Sequence, residues 1–488
     1  MQMPKVYIRI VSLCISVCLF LCACQKAPQN NQIYIDNTEE ESGTYTESSA
    51  IGENNTTTIY ECFDSTDGSV HFELDVQVDS SISFLPTLIV EPHYLTSEDA
   101  QRIAYALFGD VDFYEREPYE STSFSKSEIQ DRLERWSNYV SGEALQELYG
   151  MDDNSFIQEL VKEYIQKYTL KLETAPDNNP HTPCNWKYQE ESRYTFTPEN
   201  VTAEELANDN SAIMANCTVN GINYCFDAVT RNKSDYKLNI VTVYIDGSNS
   251  PFGIDEAIAR AKLCRGEKPN QVQVDAIIAN AGDILKEINI GDWVIDTCEV
   301  REDYIGEQVE YSIRINALPM LDGTKATDCS PFFELKEEAY ASNYYLSNVQ
   351  FTFAPDGTLL SFELTSPIDI LEVSGHTEVT SSTDVMLARA KEVLYLTDWH
   401  AYYTSTSRDL SNVPVLCNVK ITEGSYGLVR TRVENQEDQY QYIPAYIMSG
   451  IYELINADTG EMYMYKDSAG IILALNVSNG AIITSPRA

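Results

Sequence analysis

Ala215-Asn-Cys217-Thr-Val219-Asn220-Gly221-Ile222-Asn-Tyr224-Cys225-Phe226 is the stretch from which the fold can be read. Asn-Gly between two alternating apolar runs signals a two-residue type I′ turn, because both central positions need φ > 0. The turn pairs Val219 with Ile222 and Cys217 with Tyr224. Since side chains alternate along a strand, one face then carries Ala215, Cys217, Val219, Ile222, Tyr224 and Phe226. Cys225 falls on the opposite face with Thr218 and Asn223. The two thiols point apart, so no disulfide joins them in this register.

The same reading extends outward. Strands are expected over roughly 184–246, around 292–301 and 307–316, and from Val413 almost to the end, with turns at Asp458-Thr459-Gly460, near Ser468-Ala469-Gly470 and at Asn479-Gly480. Pro355-Asp356-Gly357 turns a hairpin between Val349–Phe353 and Leu359–Leu364. Before these, Val70, Phe72, Leu74, Val76 and Val78 alternate as one or two strands over 59–92. Helices are expected from Thr96 to Phe108, from the capping box Ser125-Lys-Ser-Glu128 with Phe124 and Ile129 as a hydrophobic staple, and from Asn154 to Tyr168 with Phe156 among its buried residues. Further helices are read over Ile254–Cys264, Val272–Ile288 and Asp384–Leu396. The expected fold class is α+β, a helical N-terminal region followed by antiparallel sheets each with one or two short helices. The expected segments are 1–23, 24–58, 59–180 (strands plus helical region), 181–375 (an α+β module) and 376–488 (a C-terminal α+β module, mostly antiparallel sheet).

The first of these segments is an export signal. Lys5 and Arg9 precede an apolar run that ends at Gln25, short of the ~20 residues a membrane-spanning helix needs. The run closes on Leu21-Cys22-Ala23-Cys24, which resembles the lipobox of bacterial lipoproteins. The resemblance implies cleavage before Cys24, a diacylglyceryl thioether on that cysteine, and attachment to the outer face of the cytoplasmic membrane. Residues 25–58, rich in Gln, Asn, Glu, Ser and Thr, read as a disordered tether.

With 75 acidic against 33 basic residues, the net charge is −42. That balance excludes a nucleic-acid partner, whose phosphates demand Lys and Arg, and permits cationic ones. Of twelve cysteines, Cys14, Cys18 and Cys22 leave with the signal and Cys24 is acylated. The remaining Cys62, Cys184, Cys217, Cys225, Cys264, Cys298, Cys329 and Cys417 show no C-x-x-C and no zinc spacing.

Catalytic signatures are weak. Asp458-Thr459-Gly460 spells the aspartic-protease triplet without a second copy, and a turn explains it. Ser123-Phe-Ser-Lys126 and Ser234-Asp-Tyr-Lys237 match Ser-x-x-Lys without its companion motifs. The histidines His71, His93, His181, His376 and His400 form no two-histidine ligand spacing, and Asp398-Trp399-His400 is the only local acid–His pair. Asp64-Ser-Thr-Asp67-Gly68 misses the oxygen spacing of a calcium loop. No catalytic residue, cofactor or metal is therefore assigned.

Thr96-Ser-Glu-Asp-Ala100, Ser125-Lys-Ser-Glu128, Phe353-Ala-Pro-Asp-Gly-Thr358 and Ile443-Pro-Ala-Tyr446 with Leu454-Ile-Asn-Ala-Asp-Thr-Gly460 resemble an uncharacterised family of Gram-positive lipoproteins, a domain of unknown function, over most of residues 60–488. More remotely, the closing motif is similar to PepSY domains and the YycH/YycI regulators. These resemblances imply an extracytoplasmic, non-enzymatic module that binds a protein, peptide or wall component. The alternatives are a solute-binding lipoprotein of a transporter and a carboxylate-dependent hydrolase. The hairpin-rich pattern speaks against the two α/β lobes of the first.

Overall fold

A computed structural model describes residues 56–66, 68–79, 84–116, 124–178, 181–190, 210–231, 238–247, 250–327, 347–379, 383–396, 415–433, 439–460 and 462–483. Three strands come first: β1 (Thr56–Asp64), β2 (Val70–Asp79) and β3 (Phe84–Pro92). Helix α1 (Ser97–Phe108), the short β4 (Phe113–Glu115) and helices α2 (Lys126–Ser137), α3 (Gly142–Tyr149) and α4 (Ser155–Thr174) follow. Next are β5 (Gln189–Glu190), β6 (Asn210–Val219), β7 (Ile222–Arg231) and β8 (Leu238–Ile245), then α5 (Ile254–Cys264) and α6 (Gln271–Ile288). The chain continues through β9 (Trp293–Ile305), β10 (Gln308–Leu321), β11 (Thr324–Thr327), β12 (Asn348–Phe353), β13 (Leu359–Thr365) and β14 (Ile368–Glu378). It closes with α7 (Thr383–Leu396), β15 (Val415–Arg432), β16 (Tyr440–Asn456) and β17 (Met462–Asn476). All these elements lie in one compact unit.

The local rules hold where the chain obeys them. Asn220 and Gly221 take φ of 51° and 80°, and the hairpin pairs Val219 with Ile222 and Cys217 with Tyr224. Ser125 caps α2 and Glu128 returns the bond, with Phe124 and Ile129 in one apolar cluster. Thr96 and Asp99 cap α1 in the same way.

Two ladders result. The first is antiparallel, in the order β9–β10–β12–β13–β8–β7–β6, with β4 and β5 on the far edge of β6. One of its faces packs against α1 and α6, which bury Ala100, Ile103, Ala281 and Ile288 against Phe226, Phe351 and Phe362. In the second ladder β15 pairs with β16 along its length, and its other edge takes β2 and β11 in parallel. The far side of β16 is shared by β17 and β3, and β3 carries β14. Helix α7 covers this ladder through Met386, Ala390 and Leu394. The β10–β11 hairpin joins the two ladders.

The expected fold class is corrected by this arrangement. Among the described residues strand outweighs helix, in a large mixed sheet, and the helices do not form an N-terminal helical region. The physical reason is long-range pairing. The N-terminal strands β1–β3 complete a sheet built with β15 and β16, and α5, α6 and α7 are dispersed between strands rather than gathered at the start. Periodicity reports which face of a strand is buried, not which distant strand lies beside it.

Three smaller expectations also shift. No turn interrupts 468–470, because β17 runs through it with register shifts against β16. Phe156 is 69% exposed and Ile157 takes the buried place at the start of α4, while Val161, Tyr164, Ile165 and Tyr168 stay on its packed face. Helix α3 was not anticipated at all. It closes on Gly150 in the left-handed region, whose Cα-bound hydrogen faces Gly306; a Cβ there would lie 2.5 Å from the Gly306 nitrogen.

Candidate functional site

Both predicted hairpin tips open onto one cleft of about 250 Å³. Asn220 and Ile222 come from the β6–β7 turn, Asp356 and Gly357 from the β12–β13 turn, Phe108 from the last turn of α1, and Asn280 and Ile284 from α6. Each piece is shaped locally. The Asp356 turn is closed by Ala354 N–H to Thr358 O at 2.8 Å and Gly357 N–H to Ala354 O at 2.9 Å, with Gly357 at φ 87°. Asp356 Oδ1 accepts the Thr358 N–H at 2.9 Å.

The cleft has an apolar floor and a polar rim. Tyr224, Phe353 and Leu359 are buried, and Tyr224 donates its hydroxyl to Leu359 O at 2.8 Å. That bond ties β7 to β13 beneath the opening. Phe108 tilts against Tyr224 with ring centroids 4.9 Å apart. Asn220, Asn280 and Asp356 are exposed around the mouth. Burial first, then the charges of Cys217 and Asp356, push the Tyr224 phenol upward, so it remains a neutral donor. Amide and carboxylate groups on a rigid apolar base can orient a ligand by hydrogen bonds.

The thiols near this cleft are packing groups. Cys217 is buried and free, and burial pushes it up to about 12. Cys225 lies on the opposite face, as the register requires, yet it too is buried and free. The outer face is covered there by Arg116, whose guanidinium sits 2.7 Å from Asp227 and donates to Asn216 at 2.8 Å, with Tyr244 donating to Asp227 at 3.2 Å.

The remaining sequence candidates disperse. Cys24, Cys329, His400, Asp398, Ser123 and the Ser234–Lys237 match lie outside the described residues. Asp458 and Thr459 donate their N–H groups to Asn456 Oδ1, so the protease-like triplet is an Asx turn. Lys126 pairs with Asp177. His71 lies 2.8 Å from Asp64, His181 stacks on Tyr114, and His376 is 3.7 Å from Asp322. Among the described residues no three His, Cys, Asp or Glu side chains are placed to hold a metal, and no helix is long and apolar enough to cross a membrane.

One cluster went unread in the sequence. His93 Nδ1 lies 2.9 Å from Asp369 of β14, and its Nε2 lies 3.3 Å from Asp99 of α1. Arg102 reaches Asp99 at 2.5 Å and donates to Ile288 O at 2.6 Å. This knot ties β3, α1, α6 and β14 together where the two ladders meet. Nothing local marks it, since His93 and Asp369 are separated by most of the chain.

No protein-family model matches the chain, and no curated protein matches it. A solved structure described as an uncharacterized protein from Eubacterium rectale is similar over 85% of this chain and 90% of that chain, at 8% identity and a TM-score of 0.37.

Proposed function

We propose that the chain is a lipid-anchored extracytoplasmic binding module, held at the outer face of the cytoplasmic membrane through Cys24. In this reading the cleft between the Asn220-Gly221 and Asp356-Gly357 turns takes a group from a protein, peptide or wall component. The observation that carries the binding role is the make-up of that cleft: a buried apolar floor of Tyr224, Phe353 and Leu359 under a rim of two amides and one carboxylate. Such a lining holds and orients a ligand through shape and hydrogen bonding. The address rests on Leu21-Cys22-Ala23-Cys24.

Crosslinking in intact cells, followed by recovery of the lipidated protein, tests the role. Asn280→Trp places a large ring in the cleft from an exposed position of α6 without touching the core. A component recovered with the wild type and lost with Asn280→Trp supports the module. Equal recovery with both proteins overturns the cleft as its binding site.

A further inference from the structure

Asp356 is the one formally charged residue among those lining the cleft, and no basic side chain lines it. Its Oδ1 accepts the Thr358 N–H, while Oδ2 has no hydrogen-bond partner among the described residues. Its charge is felt by Tyr224 in the floor, whose phenol burial already pushes up. The amide oxygens of Asn220 and Asn280 add acceptors at the rim. Behind them the packed Phe108 and Tyr224 rings supply an apolar wall for a hydrocarbon stem. The long-range field has the same sign, since the chain carries a net charge of −42.

We infer, building on the reading of the cleft as a binding site, that its ligand is an alkylammonium group: an ammonium at the Asp356 rim with a short apolar stem over Phe108 and Tyr224. Size agrees with that class, since a cleft of about 250 Å³ has room for a four- or five-carbon stem and its ammonium. A lysine side chain and a free aliphatic amine share this chemistry.

Ligand-observed NMR on the full-length protein separates the two sources and tests the charge. The probes are n-pentylammonium chloride, N-acetyl-lysinamide, its Nε-acetylated form, and 1-pentanol. Asp356→Asn is the matching variant, because an asparagine oxygen still accepts the Thr358 N–H and preserves the turn; a melt identical to wild type verifies that. The expected result is binding of one or both ammonium probes at least about tenfold tighter than of 1-pentanol and the acetylated lysine, with the preference lost in Asp356→Asn. The tighter of the two ammonium probes names the source. Equal binding of 1-pentanol, or an ammonium preference that survives Asp356→Asn, overturns the charge inference and leaves the cleft as a binding site for a neutral group. Binding by none of the four probes overturns the alkylammonium class, whereas failure of the cleft itself is read separately, from unchanged crosslinking by Asn280→Trp.

Discussion

Replacing Asp255 by alanine should break the joint between α2 and α5. Asp255 sits in the first turn of α5, where a negative charge also meets the helix dipole favourably. One oxygen lies 3.0 Å from Arg132 Nη1; the other accepts from Trp136 Nε1 at 3.0 Å and from Arg135 Nε at 3.4 Å. Arg132 and Asp255 are 9% and 13% exposed at their side chains, and Trp136 is fully buried. Taking one partner from a buried ion pair costs about 3–5 kcal/mol. The Trp136 N–H loses its acceptor as well, for ~1–3 kcal/mol, but the two losses share one desolvated site and do not add. Arg135, 42% exposed, contributes little because water screens it. The net expectation is about 4 kcal/mol for Asp255→Ala and about half that for Asp255→Asn, which keeps an acceptor for Trp136 but removes the charge. Urea unfolding followed by tryptophan fluorescence measures both. A loss under ~1 kcal/mol for Asp255→Ala, or equal losses for the two variants, would refute the claim that this carboxylate holds the helices together.

Cys24→Ala should move the protein from the detergent phase to the aqueous phase or leave it unprocessed, because two acyl chains are needed for stable anchoring; normal membrane retention counts against lipidation. Cys217→Ser should cost on the order of 1–3 kcal/mol by burying a hydroxyl among apolar neighbours, read from the denaturation midpoint, and thiol titration should find Cys217 and Cys225 both reduced. Burial, the largest influence, raises the Asp99 carboxyl, but the Thr96 hydroxyl and N–H together with His93 hold it below its ordinary value. The stability that Asp99 supplies is therefore present above the ordinary aspartate range and lost as pH falls through the depressed folded value. The melting difference between wild type and Asp99→Asn should accordingly shrink between pH 5 and strongly acid buffer, and a difference that stays constant or grows would contradict this.

Local rules were legible in residue order. The Asn220-Gly221 register, the Ser125–Glu128 box and the 254–264 helix all depend on interactions within a few residues, where φ preference and capping chemistry decide the outcome. What the sequence did not disclose lies across long separations. Nothing in Val70–Asp79 announces a parallel partner at Cys417–Gly424, because alternation marks a buried face and is silent about neighbours. Cys225 shows the same limit. Its polar flanks Thr218 and Asn223 placed it correctly on the second face of the hairpin, but whether that face is wet depends on Arg116, which arrives from the segment after β4 and is held there by Asp227. The cleft combines both cases: each turn was readable, and their meeting was not.

The acidity of the chain acquires a more specific meaning once the arginines are placed. Arg116, Arg132 and Arg265 are committed to Asp227, Asp255 and Glu310, each pair largely withdrawn from water. These basic groups hold elements together and offer little to a ligand from inside the fold. A uniformly acidic surface alone would attract any cation weakly and without selection, since water and salt screen exposed charge. Selection needs a carboxylate placed beside an apolar surface that a ligand's stem can cover. Asp356 stands at the rim of such a surface, with one oxygen held by the turn that the sequence already specified and the floor built by α1, α6 and the β6–β7 tip. A cation that fits there gains the charge contact and the burial of its stem together, which a hydrated metal ion or a bulky polycation cannot do.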